Sequence, residues 1–280
     1  MKPKRAERRP WEMFFVGLVY SALSLLLVSF VFSADTVLSK YSGILLVMFT
    51  VIACLPFMYY LIKLEEGKDL EINDQGNLVK EHWKALSALM WLFFGFIVGF
   101  SLGYVILPSH TANNFNAQIE VFCSINSPQN YNNCLEENGI ITGKATGSGI
   151  ALSIFANNVS VLIFVLIFSL AFGAGAIFIL VWNASVIAAA IGMFAKSEIT
   201  GLPLGIIRYM IHGLPEIAAY FIAALGGGIV SVAMIRKDLD TDRKWNILQD
   251  AIVLIVIALL ILLVSAVIEV YFTPAIMGLF

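Results

Sequence analysis

The chain has 280 residues, of which 60% are hydrophobic and 13% are charged, and its formal net charge is −2. This amount of apolar surface excludes a disordered chain, and the near-neutral charge gives no sign of nucleic-acid binding. Apolar runs of membrane-spanning length also argue against a soluble globular domain. The sequence therefore predicts an all-α, polytopic transmembrane helical bundle that forms a single membrane domain over residues 1–280.

Six apolar blocks follow one another along the chain, and five of them have the length of one transmembrane helix. The block 150–194 would be about 68 Å long as a single helix, roughly twice the hydrocarbon thickness. We therefore place a turn at the small-residue stretch 173–176 and predict seven spans. Their predicted limits are 11–32, 41–62, 85–106, 150–172, 177–194, 209–235 and 247–272.

Basic residues predict the orientation of the spans, because Lys and Arg stay on the cytoplasmic side. The head 1–10 carries five of them, and the loops 63–84 and 236–246 carry four each. In the loop 107–149, Lys144 is the only Lys or Arg. We predict a cytoplasmic head, a cytoplasmic loop 63–84, an extracytoplasmic loop 107–149, an inner N-terminus and an outer C-terminus. A multi-pass plasma-membrane protein is expected, with its first span retained because it is too long for a signal-peptide core.

Cysteines add a prediction about the extracytoplasmic loop. Cys123 and Cys134 both lie in that loop, where a disulfide between them is the natural interpretation and two free thiols are the alternative. Cys54 lies inside the second predicted helix and is interpreted as a packed thiol. The many Asn and Ser residues of the loop predict a solvated, turn-rich segment with at most one short helix.

Small residues and prolines predict how the helices pack and bend. The third predicted helix places Gly95, Gly99 and Gly103 at four-residue spacing, and Gly227 ends a similar series in the sixth helix. Such series allow two backbones to approach closely in lipid. Pro215 removes a hydrogen bond inside the sixth helix, so that helix is expected to kink there, next to Gly213.

Polar residues inside the spans are few, and most of them are predicted to lie in the outer half of the bundle. One face of the sixth helix carries four residues at four-residue spacing, namely Arg208, His212, Glu216 and Tyr220. Arg208 is thereby predicted to lie where it can pair with Glu216 or with Glu269. A structural network and a functional site are both open interpretations of such a cluster. Its predicted members are Asn157, Asn158, Asn183, Arg208, His212, Glu216 and Glu269.

Three segments carry a family resemblance. They read IFANN at 154–158, HGLPEIA at 212–218 and IEVYFTP at 268–274. In this order and spacing the chain resembles the stage II sporulation protein M family, mainly over residues 150–274. It departs from the family at Ile211, where members often have Pro, and at Ala184, where they often have Gly. The resemblance implies that the signature positions are Asn158, His212, Gly213, Glu216, Glu269 and Pro274.

Three functions are compatible with these patterns. The resemblance implies a non-enzymatic scaffold or assembly factor, since family members of sporulating bacteria are thought to hold cell-wall hydrolases. Its partners would be the lipid bilayer and other membrane or extracytoplasmic proteins. A transporter or permease is the alternative, in which Glu216 and Glu269 bind an ion, a proton or a small solute.

A membrane-embedded metal hydrolase is the remote third function. It rests on His212 and Glu216 alone, because no further His or Cys is spaced to complete a metal site. No metal, no cofactor and no nucleic-acid partner are expected, and no phosphate loop or catalytic triad is visible. The protein is therefore not expected to be an enzyme.

Overall fold

The structure is a computed structural model that describes residues 3–32, 35, 37–69, 78–107, 114–126, 132, 134, 148–172, 176–195, 198–237 and 244–278. Every regular element in this part of the chain is a helix, which confirms the predicted all-α class. The elements are α1 (Pro3–Arg8), α2 (Glu12–Leu27), α3 (Ser42–Asp69), α4 (Leu78–Ile106), α5 (Asn116–Asn126), α6 (Ser148–Phe172), α7 (Ala176–Phe194), α8 (Leu202–Arg236), α9 (Lys244–Val267) and α10 (Thr273–Met277). A π-helical turn follows α2 at Val28–Phe32, and another joins α9 to α10 at Ile268–Phe272.

Seven helical segments in the described part of the chain are long and apolar enough to cross a membrane, as predicted. The long apolar block is divided, because α6 ends at Phe172 and α7 begins at Ala176. The predicted turn at residues 173–175 itself lies outside the described residues. The seven segments are Glu12–Phe32, Leu38–Leu61, Trp83–Ile106, Ala151–Ala171, Ala176–Phe194, Ile199–Ile235 and Lys244–Met277.

Several helices extend beyond the limits that were predicted from the apolar blocks. α3 runs to Asp69 and α4 starts at Leu78, so the predicted loop 63–84 is helical at both of its ends. Lys and Glu are good helix formers, and charge therefore ends an apolar span without ending the helix. α8 begins at Leu202 rather than at residue 209, with Pro203 in its first turn, where a missing N–H has no cost.

The first half of the bundle is built on a close contact between α2 and α4. A Cβ added at Gly95 would lie 3.0 Å from the Cα of Gly17, so the two backbones meet without side chains between them. Further along α4, Gly99 faces Ser21 and Gly103 faces Leu25. The glycine series of α4 is therefore the surface on which α2 packs.

The second half is a group of three helices, α6, α8 and α9, which pack on one another. The Ser169 hydroxyl of α6 donates a hydrogen bond to the carbonyl of Ala224 in α8, at 2.5 Å. A Cβ at Gly227 would lie 2.9 Å from the Cβ of Ser169, so this glycine lies in the same contact. α7 lies between the two halves and packs on both α4 and α8.

An apolar cavity of about 50 Å³ lies between α3, α4, α7 and α8. Its walls include Leu61 near the end of α3, Ala85 near the start of α4, Ala176 at the start of α7 and Val232 near the end of α8. These parts of the four helices therefore meet at one end of the bundle. The predicted orientation assigns this end to the cytoplasm.

The segment before α6 is not simply the solvated loop that its Asn and Ser content predicted. Asn114 is buried, and its Nδ2 donates to the Ser29 hydroxyl at 2.6 Å. Gln118 of α5 is fully buried, and its Nε2 donates to the carbonyl of Gly43 at 2.9 Å and to the Ser185 hydroxyl at 3.1 Å. These amides enter the bundle because hydroxyl and carbonyl oxygens of other segments accept their N–H groups, which sequence polarity does not reveal. Within the described residues, Oε1 of Gln118 has no partner.

The end of α5 is held by a disulfide. Cys123 and Cys134 are joined with an S–S distance of 2.03 Å, and both residues are buried. Cys54 is a buried free thiol. Before α3, the carboxylate of Asp35 accepts the backbone N–H groups of Leu38 and Val37, which hold the pKa of this carboxyl below its ordinary value.

Candidate functional site

The centre of the polar cluster is His212 on α8, which three residues of the last span surround. Its Nε2 lies 4.0 Å from Oε1 of Glu269, and its Nδ1 lies 3.4 Å from the Thr273 hydroxyl. The Ser265 hydroxyl donates to the His212 carbonyl at 2.8 Å. The two side chains of the His212–Glu269 pair are 14% and 30% exposed, so the pair lies at the edge of the helix contact rather than in its centre.

The last span is irregular where Glu269 occurs. The turn Ile268–Phe272 is π-helical, and the Thr273 hydroxyl donates back to the carbonyl of Ile268 at 3.2 Å. Pro274 lacks an N–H and cannot continue the regular hydrogen-bond ladder, which accounts for the widened turn before it. Such π-turns inside helices frequently occur at functional sites.

Glu216 lies one turn further along α8 and has a different partner. The Tyr220 hydroxyl donates to Oε1 of Glu216 at 2.8 Å, and Tyr220 is fully buried. α8 is continuous through Pro215, which cannot donate a hydrogen bond to the carbonyl of Ile211. The neighbouring Gly213 is buried, and a Cβ there would approach only the end of the Met210 side chain, at 3.3 Å.

Asn158 of α6 completes the site from the third helix. It is 5% exposed, and its Nδ2 has no hydrogen-bond partner among the described residues. The contact between Ser169 and Ala224 sets the register of α6 against α8. Asn158 precedes Ser169 by the same number of residues as Gly213 precedes Ala224. Because both helices rise by about 1.5 Å per residue, Asn158 and Gly213 lie at the same depth. An unpaired donor is therefore buried at the depth of His212 and Glu216.

Three of the predicted residues do not join this group. Asn157 is exposed on the far side of α6. Asn183 of α7 donates to the carbonyl of Ile179 in its own helix, at 2.8 Å. The predicted pairing of Arg208 with an acid is wrong, because its guanidinium lies 4.8 Å from the ring centre of Phe194 and 6.0 Å from that of Tyr209. Long basic side chains near a helix end reach outward, and aromatic faces attract the cation.

Ser265 and Thr273 belong to the site but were not among its predicted members, whereas Tyr220 was predicted to share the helix face of Glu216. Ser265, Glu269 and Thr273 are spaced four apart, which is the signal that was available in the sequence. Hydroxyl groups on an apolar span are common, and this spacing alone did not distinguish Ser265 and Thr273 from ordinary packing residues. The contacts to His212 identify them.

The chemistry of the group is that of two carboxyl groups, one imidazole, three hydroxyls and one amide. Within the described residues, neither acid is paired with a Lys or Arg. That part of the chain also holds no group of three His, Cys, Asp or Glu side chains able to bind a metal ion, so the hydrolase interpretation has no ligand set there. The arrangement is suited to binding a proton, a cation or a hydrogen-bonding solute.

The fold and the site define a polytopic helical membrane protein that carries two acids on membrane-spanning helices, Glu216 on α8 and Glu269 on the last span; these two acids are called the acidic cluster below. The family model for stage II sporulation protein M matches residues 87–274, which is more than half of the chain. The chain therefore belongs to the stage II sporulation protein M family, which is not a known enzyme family. The match begins in α4 and so extends beyond the motifs of residues 150–274.

One relative is an uncharacterized protein of Methanocaldococcus jannaschii. It is 31% identical over 129 residues, which cover 44% of this chain and 71% of that protein. No solved structure matches the chain.

Proposed function

We propose that this protein is a plasma-membrane transporter or permease that binds a proton or a small cation at Glu216 and Glu269. The observation that carries the proposal is the presence of two carboxyl groups among membrane-spanning helices, with a tyrosine and a histidine as their partners among the described residues. An uncompensated charge costs at least about 2.5–3.5 kcal/mol at the bilayer centre and less in the outer half, where these acids are predicted to lie. Binding of a proton or a cation removes this cost, and exchange between the two is the chemistry that coupled transport uses.

The backbone next to each acid supports movement at the site. Pro215 precedes Glu216 and leaves one carbonyl of α8 without its usual donor. Glu269 lies within the π-helical turn of the last span. Interrupted helices beside the bound ion are a recurring feature of transporters. Two of the three helices that form the site can therefore bend where their acids lie.

The test is flux through the purified protein in liposomes, measured with a pH-sensitive dye and with a panel of monovalent and divalent cations. Glu216→Gln and Glu269→Gln should each abolish the flux, because an amide cannot exchange a proton or neutralise a cation. Glu120→Gln and Glu198→Gln are matched controls, since both carboxylates are exposed outside this cluster. The proposal fails if the flux of the wild type persists in the Glu216→Gln, Glu269→Gln double variant.

A binding measurement tests the ion site even if transport is too slow to be detected as flux. A cation that binds the folded state raises the unfolding temperature in proportion to the logarithm of its concentration. This rise should be present in the wild type and in Glu120→Gln, and it should be lost in Glu269→Gln. Equal cation dependence in all three proteins would contradict an ion site at Glu269.

A scaffold that docks extracytoplasmic proteins is the second candidate, and α5 favours it. This helix is tied to the bundle through Gln118 and is closed at its end by the disulfide. Its exposed residues Asn116, Glu120 and Ser124 recur every four positions and therefore form one outward face. A rigid, exposed helix face of this kind suits the binding of a partner.

A photo-cross-linking residue at Glu120 tests the scaffold. It should capture one partner protein in native membranes, whereas the same probe at Leu263, an exposed apolar position on α9, should not. In a scaffold, Glu216→Gln would disturb this assembly without changing any flux. Equal capture at the two positions would remove the support that α5 gives to this candidate.

A further inference from the structure

α6 is the most exposed of the seven spans in the described part of the chain, with only 17% of its apolar window buried. One face packs on α8 and α9 and carries the buried residues Asn158, Leu162, Val165 and Ser169. The spacing of these residues fits a single stripe along the helix. The opposite face has no neighbour among the described helices and would lie in lipid.

The exposed face of α6 changes character along its length. In the half nearer Phe172 it carries Phe164 and Ile167, which are 56% and 53% exposed, as expected for contact with lipid tails. In the other half it carries Ser153, Ala156, Asn157 and Ser160, all of them exposed. This second group, the polar face of α6, consists of small or polar side chains, and Leu152, which is 68% exposed, lies beside it.

Asn157 is the residue that lipid cannot satisfy. Its amide makes no hydrogen bond with another residue in the described part of the chain, and it lies about 9 Å inside the apolar segment that starts at Ala151. The Ser160 hydroxyl, by contrast, donates to the carbonyl of Ala156 in its own helix, at 3.0 Å. A polar side chain in the membrane almost always faces a protein partner or water rather than lipid.

We propose that the polar face of α6 is the interface with a second copy of this chain in the membrane. A carboxamide has a positive N–H end and a negative carbonyl end, so it is electrostatically complementary to a second carboxamide in reversed orientation. A two-fold axis along the membrane normal brings Asn157 of one copy to the same depth as Asn157 of the other. No charged residue lies on this face that would require a partner of opposite charge.

The small neighbours of Asn157 fit the same interface. Ser153, Ala156 and Ser160 let a second helix approach closely enough for the two amides to meet. The larger Phe164 and Ile167 lie further along the face, where two crossing helices would have diverged. The second copy therefore contacts the outer half of α6, on the side opposite the acidic cluster.

Oxidative cross-linking of the full chain in native membranes tests the proposal. Ser153→Cys and Ser160→Cys should each give a disulfide-linked product of twice the chain mass. Leu263→Cys on α9 is the matched control, because this residue is also exposed and lies close to the depth of Ser265 and His212. The native thiols remain, since Cys54 is buried and Cys123 and Cys134 are joined.

Asn157→Leu then tests the amide itself. It should weaken self-association by about 10-fold, the effect expected when the reciprocal hydrogen bonds between the two amides are lost. Association is measured by energy transfer between labelled copies diluted in liposomes. The proposal is overturned if Ser153→Cys and Ser160→Cys cross-link no more than Leu263→Cys, if the product contains a different protein, or if Asn157→Leu associates as strongly as the wild type. The two cysteine variants keep Asn157 and decide the matter even if Asn157→Leu fails to fold.

Discussion

Gly95 marks the place where the backbones of α2 and α4 come closest. A Cβ added there would meet the carbonyl of Phe14 and would lie 3.0 Å from the Cα of Gly17, and neither backbone group can turn aside as a side chain does. Gly95→Ala should therefore destabilise the protein by about 1–3 kcal/mol, the usual cost of overpacking. The measurement is the unfolding temperature in a mild detergent.

Gly213→Ala is the control for this substitution. Its Cβ would meet only the flexible end of Met210, at 3.3 Å, and the chain can absorb that contact. Equal unfolding temperatures for the two variants would show that α2 and α4 are not in backbone contact at Gly95.

Asp35 gives a prediction about pH at the start of the second span. The N–H groups of Leu38 and Val37 lower its pKa in the folded state, so its contribution is present at neutral pH and is lost as the pH falls through that lowered pKa. The protection of the amides of residues 37–41 against hydrogen exchange should therefore decrease in acid. Asp35→Ala should reduce this protection at neutral pH and remove its dependence on acid. Protection that depends on pH equally in both proteins would assign the effect to another group.

At the scale of elements, α5 depends on the hydrogen bonds of Gln118. Gln118→Ala leaves the carbonyl of Gly43 and the hydroxyl of Ser185 without this donor, which should lower the free energy of local opening by about 1–3 kcal/mol. Gly43→Ala should have a similar effect, because its Cβ would lie 3.3 Å from Cδ of Gln118 and closer still to the amide oxygen. Hydrogen exchange of Asn116–Asn126 measures both.

Glu120→Ala is the control for α5, since Glu120 is exposed on the same helix. It should leave the exchange of the α5 amides close to that of the wild type. If all three substitutions loosen α5 to the same extent, helix propensity rather than the buried amide explains the result.

For the whole molecule, the charge pattern predicts which side of the membrane each loop occupies. A membrane-impermeant maleimide should label Lys40→Cys and Gly278→Cys in intact cells, and it should label Lys237→Cys only after permeabilisation. All three positions are exposed, so access to the reagent decides the outcome. Labelling of Gly278→Cys from the cytoplasmic side alone would reverse the orientation of the last span and move the acidic cluster to the opposite half of the bilayer.

The helical class and the number of spans were predictable from the sequence. Inside a bilayer the backbone must satisfy its hydrogen bonds internally, so each apolar run of sufficient length becomes a helix wherever it later packs. The break between α6 and α7 follows from the same argument, since a single helix over residues 150–194 would be far longer than the hydrocarbon thickness.

Helix periodicity predicted which polar residues share a face of α8, but not the partner that each one finds. Arg208 was expected beside an acid and instead lies over Phe194. The Thr273 hydroxyl lies at His212 just after the π-helical turn of the last span, and a change of helical register of this kind leaves no mark in hydrophobic periodicity.

Length, hydropathy and charge thus suffice for the spans, because each of these properties acts on one segment and its membrane environment alone. The contacts of His212 with Glu269, and of Gln118 with Gly43 and Ser185, join segments far apart in the chain. Such contacts exist only after the helices have packed in a particular register, and packing depends on side chains of several helices at once. The acidic cluster and the attachment of α5 through Gln118 therefore belong to the folded bundle rather than to any one of its segments.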